Sequence, residues 1–165
     1  MMEPDADREL TLEYLGPGDL VGDTALWGAC LERRAVVVEQ VEALRIPMAA
    51  VRELLSTHAA FCSAMLMVVG QRRLTAEHRL RALLSRTVES RVAEFLLMAT
   101  ERHGIPDSRG TLIGVKYTHQ EIASYVGSTR ETVTLILGEF KRSGLVTTDH
   151  RRVVVRDPAG LRARV

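Results

Sequence analysis

The spacing of apolar residues changes near residue 48. Before that point they alternate with polar residues or stand in short runs, the pattern of β-strands. The strand-like runs lie at 10–15, 35–38 and 43–47, and the cluster Gly16-Pro17-Gly18-Asp19 indicates a turn after the first of them. We therefore expect an incomplete set of short strands that needs cover from another element.

After residue 48 the apolar residues recur at helical spacing. A short helix is predicted around 49–56, and a much longer helix follows it. The long helix carries a narrow stripe in which spacings of three and four alternate. Its members are Ala59, Cys62, Leu66, Val69, Arg73, Ala76, Leu80, Leu83 and Thr87. This heptad pattern predicts pairing between the long helices of two chains, and burial against the chain's own strands is the alternative.

A further helix is predicted after a break near 85–87, and Gly104 and Pro106 end the helical region. The apolar stripe of this helix consists of Val88, Val92, Phe95, Leu96 and Ala99.

Two short helices are predicted next, and the start of each is indicated by a hydroxyl residue with Glu three positions later. The first pair is Thr118 and Glu121, the second is Ser128 and Glu131, and Gly127 supplies the turn between the helices. This spacing predicts a helix-turn-helix.

The second short helix has two different faces. Val133, Ile136, Leu137 and Phe140 follow the spacing of a buried face. The opposite face carries Arg130, Glu131, Thr134, Gly138 and Lys141. An arginine in the first turn of such a helix suits guanine, because its two donors match O6 and N7 together. Glu131 suits a cytosine amino group, or alternatively the cap at Ser128.

A basic hairpin is predicted after Gly144. Two β-like runs, 145–148 and 153–155, enclose the turn Asp149-His150-Arg151-Arg152, and residues 112–116 are expected to add a third strand. Arg151 and Arg152 would then reach phosphates beside the groove that the helix enters. The whole arrangement, residues 112–156, is predicted to be a winged helix-turn-helix that binds double-stranded DNA.

Charge is unevenly distributed along the chain. Residues 1–70 hold 5 Lys/Arg against 11 Asp/Glu, whereas residues 113–165 hold 9 against 5. An acidic front and a basic back suit a sensor joined to a unit that binds a polyanion. The two cysteines, Cys30 and Cys62, exclude a disulfide framework and a metal site of the CxxC type.

Several classes of protein are disfavoured by what the sequence lacks. The apolar stretches are too short to span a bilayer, and the acidic N-terminus does not suit a secretory signal, so we expect a cytoplasmic protein without membrane contact. The five histidines show no ligand spacing, and no nucleophile–base–orienter set is visible, so neither a metal, a cofactor nor an enzymatic activity is expected.

The segments 117–123 and 126–133 resemble the signature of the cyclic-AMP receptor protein and fumarate–nitrate regulator (CRP/FNR) family. Leu15–Asp23 resembles the β-roll motif of that family, and Glu32–Ala35 resembles the end of its phosphate-binding cassette. The resemblance runs from about residue 10 to residue 160. It implies an α+β fold with a partial, cyclic-nucleotide-binding-like β-roll, a long dimerisation helix and a C-terminal winged helix-turn-helix.

The family resemblance also implies roles for particular residues. Arg130 and Glu131 would contact bases, and the DNA backbone would be contacted by Thr118, Gln120, Thr129 and Thr132; we add Ser128, Thr134 and Lys141 to the candidate interface. A homodimer on a palindromic site and contact with RNA polymerase are implied as well. The best-known members of the family carry an arginine where this chain has Leu135, so the preferred half-site is expected to differ at one or two base pairs.

The effector region departs from the family pattern. Cyclic-AMP binders use Glu, Arg and then Ser or Thr, whereas this chain offers Asp23, Arg33 and Arg34. The β-roll also begins about halfway along its usual length, so either the start is truncated or the pocket is incomplete. We therefore expect a regulator that acts without cyclic AMP and is controlled by its own abundance.

These patterns predict three regions: a partial β-roll over 1–48, a short helix and the dimerisation helix over 49–87, and the DNA-binding domain over 88–165. Two alternatives to a DNA-binding regulator remain. One is a signalling module whose DNA binding requires a nucleotide held by Asp23 and Arg33. The other is an adaptor whose winged helix binds a partner protein. Burial of the Arg130 face in the dimer would favour this alternative.

Overall fold

The computed structural model describes residues 10–28 and 34–165. Contacts between these residues group them into two compact units, which are described separately. One unit consists of residues 14–75, and the other joins 10–13 to 76–165. The boundary lies inside the long helix, so the division at residues 48 and 87 stays a prediction.

The unit of residues 14–75 is built from helices. It contains a 3₁₀-helix, Asp23–Trp27, helix α1, Met48–Thr57, and the first part of helix α2, Ala59–Ser85. Both α-helices were expected from the sequence. The thiol of Cys62 donates to the carbonyl oxygen of Leu55 across 2.7 Å, which links α2 to α1.

The strands expected before residue 48 are not formed in the described residues. The runs 10–15, 35–38 and 43–47 carry no strand assignment. A strand is stable only when a neighbouring backbone pairs with it, and no described segment supplies that pairing here. The side chains stay exposed as a result: Val37 is 69% exposed and Leu44 is 94% exposed. The α+β character of the fold therefore rests on the sheet near the C-terminus.

The C-terminal unit contains the remaining elements. Helix α3 (Val88–His103) follows α2 and leads into strands β1 (Gly104–Asp107) and β2 (Gly110–Ile113). Helices α4 (His119–Val126) and α5 (Arg130–Arg142) come next. The chain ends with strands β3, Val146–Asp149, and β4, Arg152–Val155, and helix α6, Pro158–Arg162. The break between α2 and α3 lies where the sequence predicts it, because the Thr87 side chain accepts a hydrogen bond from Ser90 N and caps α3.

The sheet is antiparallel, with strand order β1-β2-β4-β3. Residues 104–107, expected to end the helical region, form its edge strand. Pro106 is tolerated there because an edge strand leaves one row of backbone groups unpaired. Strand β2 ends at Ile113 rather than extending to 116, since the chain bends at Gly114 and Val115.

The core of this unit lies between the helices and the sheet. α3 packs against α4, α5, α6 and both β1 and β2. The largest fully buried side chains are Phe95, Leu96, Val92, Ile113, Ile122, Val133, Phe140, Val154, Val155 and Leu161. Helix α6 was not predicted, although Asp157 caps it and Pro158 occupies its first position, which is a recognisable helix start.

Candidate nucleic-acid interface

Helix α4 begins and ends as the sequence predicts. The Thr118 hydroxyl accepts from Glu121 N at 3.1 Å, and a Glu121 carboxylate oxygen accepts from Thr118 N at 2.7 Å, so the capping box is complete. Gly127 ends the helix with φ of 66°, a left-handed conformation that favours glycine. A Cβ on Gly127 would also lie 2.7 Å from Leu83 Cδ2, so the Leu83 side chain would have to shift to make room for it.

The cap of α5 differs from the expectation. Thr129, not Ser128, is the N-cap, and its hydroxyl accepts from Thr132 N at 3.3 Å. The two hydroxyl oxygens of Thr129 and Thr132 are 3.0 Å apart, so both groups are engaged within the first turn. Because the helix starts one residue later, Glu131 lies two residues after the cap instead of three. Its carboxylate is therefore not used for capping, and a capping box is absent from α5.

Helix α5 separates an apolar face from an outer face. The four predicted core residues Val133, Ile136, Leu137 and Phe140 are all buried. Arg130 and Glu131 are exposed in the first turn, and within the described residues their side chains make no hydrogen bond or ion pair. Helix rotation of about 100° per residue places Glu131, Leu135, Gly138 and Arg142 nearly opposite the buried face.

Thr134 is held by the helix before it. His119 Nδ1 lies 2.7 Å from the Thr134 hydroxyl oxygen, which itself donates to the carbonyl oxygen of Arg130 at 2.9 Å. The hydroxyl proton is used in that second bond, so His119 Nδ1 is the donor to Thr134. This contact joins the first residue of α4 to the flank of α5.

The basic end of α5 also differs from the expectation. Lys141 points to the wing, where its ammonium donates to the Thr148 hydroxyl at 3.4 Å. Arg142, which the sequence analysis did not single out, lies on the outer face instead. Among the described residues and outside the helix backbone itself, its guanidinium is the nearest group to where a Cβ on Gly138 would lie, at 3.9 Å. Helical phase distinguishes the two residues, since Arg142 is seven positions after Leu135 and shares its face.

The hairpin of β3 and β4 forms the predicted wing. Asp149 pairs with Arg152, and the two residues between them, His150 and Arg151, have φ of 44° and 66°. Two consecutive left-handed residues make the tight turn whose twist suits a hairpin. Arg151 is exposed at the tip, whereas Arg152 is half-buried, and its Nε has no hydrogen-bond partner among the described residues. Arg151 is therefore the better placed of the two for a phosphate.

An ion-pair network links the turn between β1 and β2 to the wing beside its tip. Arg109, in the turn between β1 and β2, binds both carboxylate oxygens of Asp107 at 2.8 and 3.0 Å and reaches Asp149 at 2.6 Å. Hydrogen bonds from Arg109 lower the pKa of Asp107 to about 2, lower the pKa of Asp149, and raise that of Arg109 itself. Sequence reasoning missed this network because Asp149 lies 40 positions after Arg109 and in a different hairpin.

Arg91 of α3 holds the turn between α4 and α5. Its Nε donates to Val126 O at 2.7 Å, and its two terminal nitrogens donate to Arg86 O at 2.7 Å and to Gly127 O at 3.4 Å. Burial lowers the pKa of this guanidinium. Carbonyl groups at the C-terminal end of α4 therefore accept hydrogen bonds from a residue 35 positions earlier in the chain. No local sequence motif predicts this contact.

The structure describes two of the three candidate effector residues, Asp23 and Arg34. An Asp23 carboxylate oxygen forms an ion pair with Arg72 Nη1 at 2.8 Å, and Arg72 also donates to the carbonyl oxygen of Leu20. Arg34 is exposed, and Arg33 lies outside the described residues.

The described part of the chain contains no group of three His, Cys, Asp or Glu side chains suited to a metal ion. None of its single helices is long and apolar enough to cross a membrane; only the bent pair α1–α2, with a 113° angle, meets that criterion jointly.

Two capped helices around a glycine turn, followed by a β-hairpin, define a winged helix-turn-helix protein. A family model described as the Crp-like helix-turn-helix domain matches residues 90–164. The global nitrogen regulator of Synechocystis sp. is 31% identical over 160 residues, which cover 95% of this chain and 71% of that protein. The chain belongs to the CRP/FNR family of transcription regulators.

Other relatives agree with this assignment. The "CRP-like cAMP-activated global transcriptional regulator" of Mycobacterium tuberculosis is 27% identical, with 95% of this chain and 70% of that protein covered. A CooA mutant from Carboxydothermus hydrogenoformans superposes with a TM-score of 0.64 at 25% identity, covering 70% of this chain. The match spans only 54% of that CooA chain.

Proposed function

We propose that this member of the family is a sequence-specific DNA-binding regulator that binds a palindromic site as a homodimer. The first turn and the outer face of α5 carry the proposal. Arg130 and Glu131 are exposed in the first turn, the part of a recognition helix that meets base edges in the major groove. Arg130 supplies a bidentate donor for guanine, and Glu131, which is not used for capping, supplies an acceptor for a cytosine amino group.

The DNA backbone would be held on both sides of this helix. Arg151 at the wing tip reaches phosphates on one side, and exposed Gln120 in the first turn of α4 reaches them on the other. Thr118, Thr129 and Thr132 contribute indirectly, because their hydroxyls are engaged in or beside the helix caps. The first turn of each helix also leaves backbone N–H groups that the cap does not satisfy, and those groups favour a phosphate.

Homodimerisation would take place through α2. The predicted seam includes Leu66 and Leu80, which are 73% and 58% exposed, and Ala82 is the one buried residue that the helix contains. A helix of 27 residues with so little burial needs a partner surface to be stable, since helix stability in proteins comes mainly from packing an apolar face. A second copy supplies an identical heptad seam.

DNA binding is proposed to occur without cyclic AMP. The Asp23 carboxylate, which stands where a ribose contact is expected from the family resemblance, pairs with Arg72, and its side chain is 14% exposed. A nucleotide would have to replace this ion pair before Asp23 could accept from a ribose hydroxyl. We further propose that the regulator acts in the cytoplasm and contacts RNA polymerase, as the family resemblance implies.

The proposed function is tested by selecting bound sequences from a random DNA pool with the purified full chain. We expect enrichment of a palindrome with half-sites about 10 base pairs apart and an affinity that falls steeply with salt. Analytical ultracentrifugation of the complex should give two protein chains for each duplex. A pool that remains random after several rounds at low salt would contradict the proposal.

The alternative is a nucleotide-responsive module. Calorimetry with cyclic AMP and with cyclic GMP distinguishes it, because heat of binding in the natural protein that disappears in Arg33→Ala would favour an effector-dependent regulator. The Arg72→Ala variant is the matched control, since it frees Asp23 from its intramolecular partner. We expect no heat of binding from the natural protein with either nucleotide.

A further inference from the structure

Leu135 is an exposed apolar residue at the centre of a polar surface. It lies in the second turn of α5 and is 69% exposed, although its neighbours Ile136 and Leu137 are buried. Rotation of about 100° per residue places Leu135 within about 30° of the direction opposite the buried face. It therefore projects from the same surface as Glu131, one turn before it, and Arg142, two turns after it.

The chemistry of Leu135 limits what it can recognise in a major groove. A leucine has no donor or acceptor, so it cannot distinguish the polar edges of bases. The C5 methyl of thymine is the apolar group that the major-groove edge of a standard base pair displays. We infer that Leu135 reads a thymine in each half-site by packing its side chain against that methyl, an inference that rests on the proposed function.

The surroundings of Leu135 allow the close approach that such a contact requires. Gly138, one turn later, leaves space on the same face. Outside the helix backbone, the described group nearest to where its Cβ would lie is the end of the Arg142 side chain, at 3.9 Å. Glycine is disfavoured inside a helix, but its lack of a side chain here lets the helix backbone approach the base edges closely. Such an approach would bring Leu135 deeper into the groove.

The helix geometry also predicts where the thymine lies. Leu135 follows Arg130 by five residues, which corresponds to about 7.5 Å along a helix axis. Base pairs are spaced by about 3.4 Å, so for a helix that runs along the groove the thymine read by Leu135 is expected about two base pairs from the guanine read by Arg130. This register distinguishes the contact from an incidental preference for A·T pairs elsewhere in the site.

The test replaces thymine by deoxyuridine, which removes only the methyl, one position at a time in the selected site. Burial of one methyl is worth about 0.8 kcal/mol, so the natural protein should lose about 4-fold in affinity for one substituted half-site and about 16-fold for both. Leu135→Ala should lose this discrimination at that position only. Leu135→Met, which keeps an apolar tip, should retain part of it.

Three results would overturn the inference: a selected site without thymine at the expected register, tolerance of deoxyuridine at every position, or an equal methyl preference in Leu135→Ala. Failure of the proposed function gives a different result, because a protein that selects no DNA sequence provides no site to substitute. Leu135→Arg adds an independent measurement. It should shift the selected base at this position from thymine towards guanine, since arginine donates to O6 and N7.

Discussion

Arg91 Nε and the carbonyl oxygen of Val126 are 2.7 Å apart, and this hydrogen bond joins α3 to the last residue of α4. The same guanidinium reaches Gly127 O in the turn that leads to α5. The position of the recognition helix therefore depends on a residue outside the helix-turn-helix. A charged donor also replaces water at carbonyls that the end of α4 leaves without intrahelical partners.

Replacement of Arg91 by alanine should destabilise the C-terminal unit. Hydrogen bonds to charged groups contribute about 1.5–3 kcal/mol each, and their loss leaves carbonyl groups of Arg86, Val126 and Gly127 without this donor. We expect Arg91→Ala to lower the free energy of unfolding by about 2 kcal/mol in urea titrations followed by circular dichroism. Arg91→Lys keeps the charge but not the fork, and it should recover only part of the loss. Equal stability of Arg91→Ala and the natural protein would contradict this role.

The assignment of the α5 cap leads to a paired prediction. Thr129→Ala removes the hydroxyl that accepts from Thr132 N and should cost about 1 kcal/mol in the free energy of unfolding. Ser128→Ala is the matched control one residue earlier, and it should cost much less because Ser128 does not cap the helix. The same urea titrations measure both variants. A larger effect at Ser128 than at Thr129 would mean that the helix begins one residue earlier.

Base contacts and phosphate contacts should respond differently to mutation. Arg130→Ala should relax specificity at one base pair of each half-site and cost about 1–3 kcal/mol on the selected sequence. Arg151→Ala should weaken binding to all sequences alike and reduce the slope of log affinity against log salt by about 1 for each subunit. Fluorescence anisotropy with selected and scrambled duplexes over a range of salt concentrations measures both effects. Uniform weakening by Arg130→Ala would place that residue on the backbone instead.

The ion pairs of Arg109 predict an unusual titration. The Arg109 guanidinium lowers the pKa of Asp107 to about 2, below the ordinary value of about 3.9. Because the folded pKa is depressed, the stabilisation from these ion pairs is present above the ordinary pKa and is lost as the pH falls towards 2. Carboxyl carbon shifts measured by NMR should give this low value for Asp107. In Arg109→Gln the pKa should return towards the ordinary range, and an ordinary value in the natural protein would contradict the network.

The heptad seam of α2 predicts which substitutions prevent dimerisation. Leu66→Glu places a charge on the seam opposite its symmetry-related copy, so we expect a monomer at micromolar concentration. Met67→Glu is the matched control, because Met67 is 75% exposed but points about 100° away from Leu66 on the helix. Sedimentation equilibrium compares the two variants. Dimers of equal stability in both would mean that α2 does not form the interface through this seam.

The features that the sequence predicted correctly are local ones. The capping box of Thr118, the glycine turn at Gly127 and the buried stripe of α5 each depend on residues within about one or two helical turns of one another. Their physical causes act over the same short range, since a hydroxyl satisfies nearby N–H groups and helical rotation sorts apolar residues onto one face. The wing hairpin belongs to the same group because its turn has two residues.

Other features required distant residues to meet, and only the tertiary structure decided them. The runs before residue 48 have strand-like composition but form no strand where described, because strand formation needs a pairing partner that composition does not reveal. Residues 104–107 do form a strand, despite Pro106, because β2 pairs with them. The bond from Arg91 to Val126 and the pair of Arg72 with Asp23 likewise join residues 35 and 49 positions apart. Local pattern fixes which helices form, whereas long-range contacts fix how the recognition helix is held.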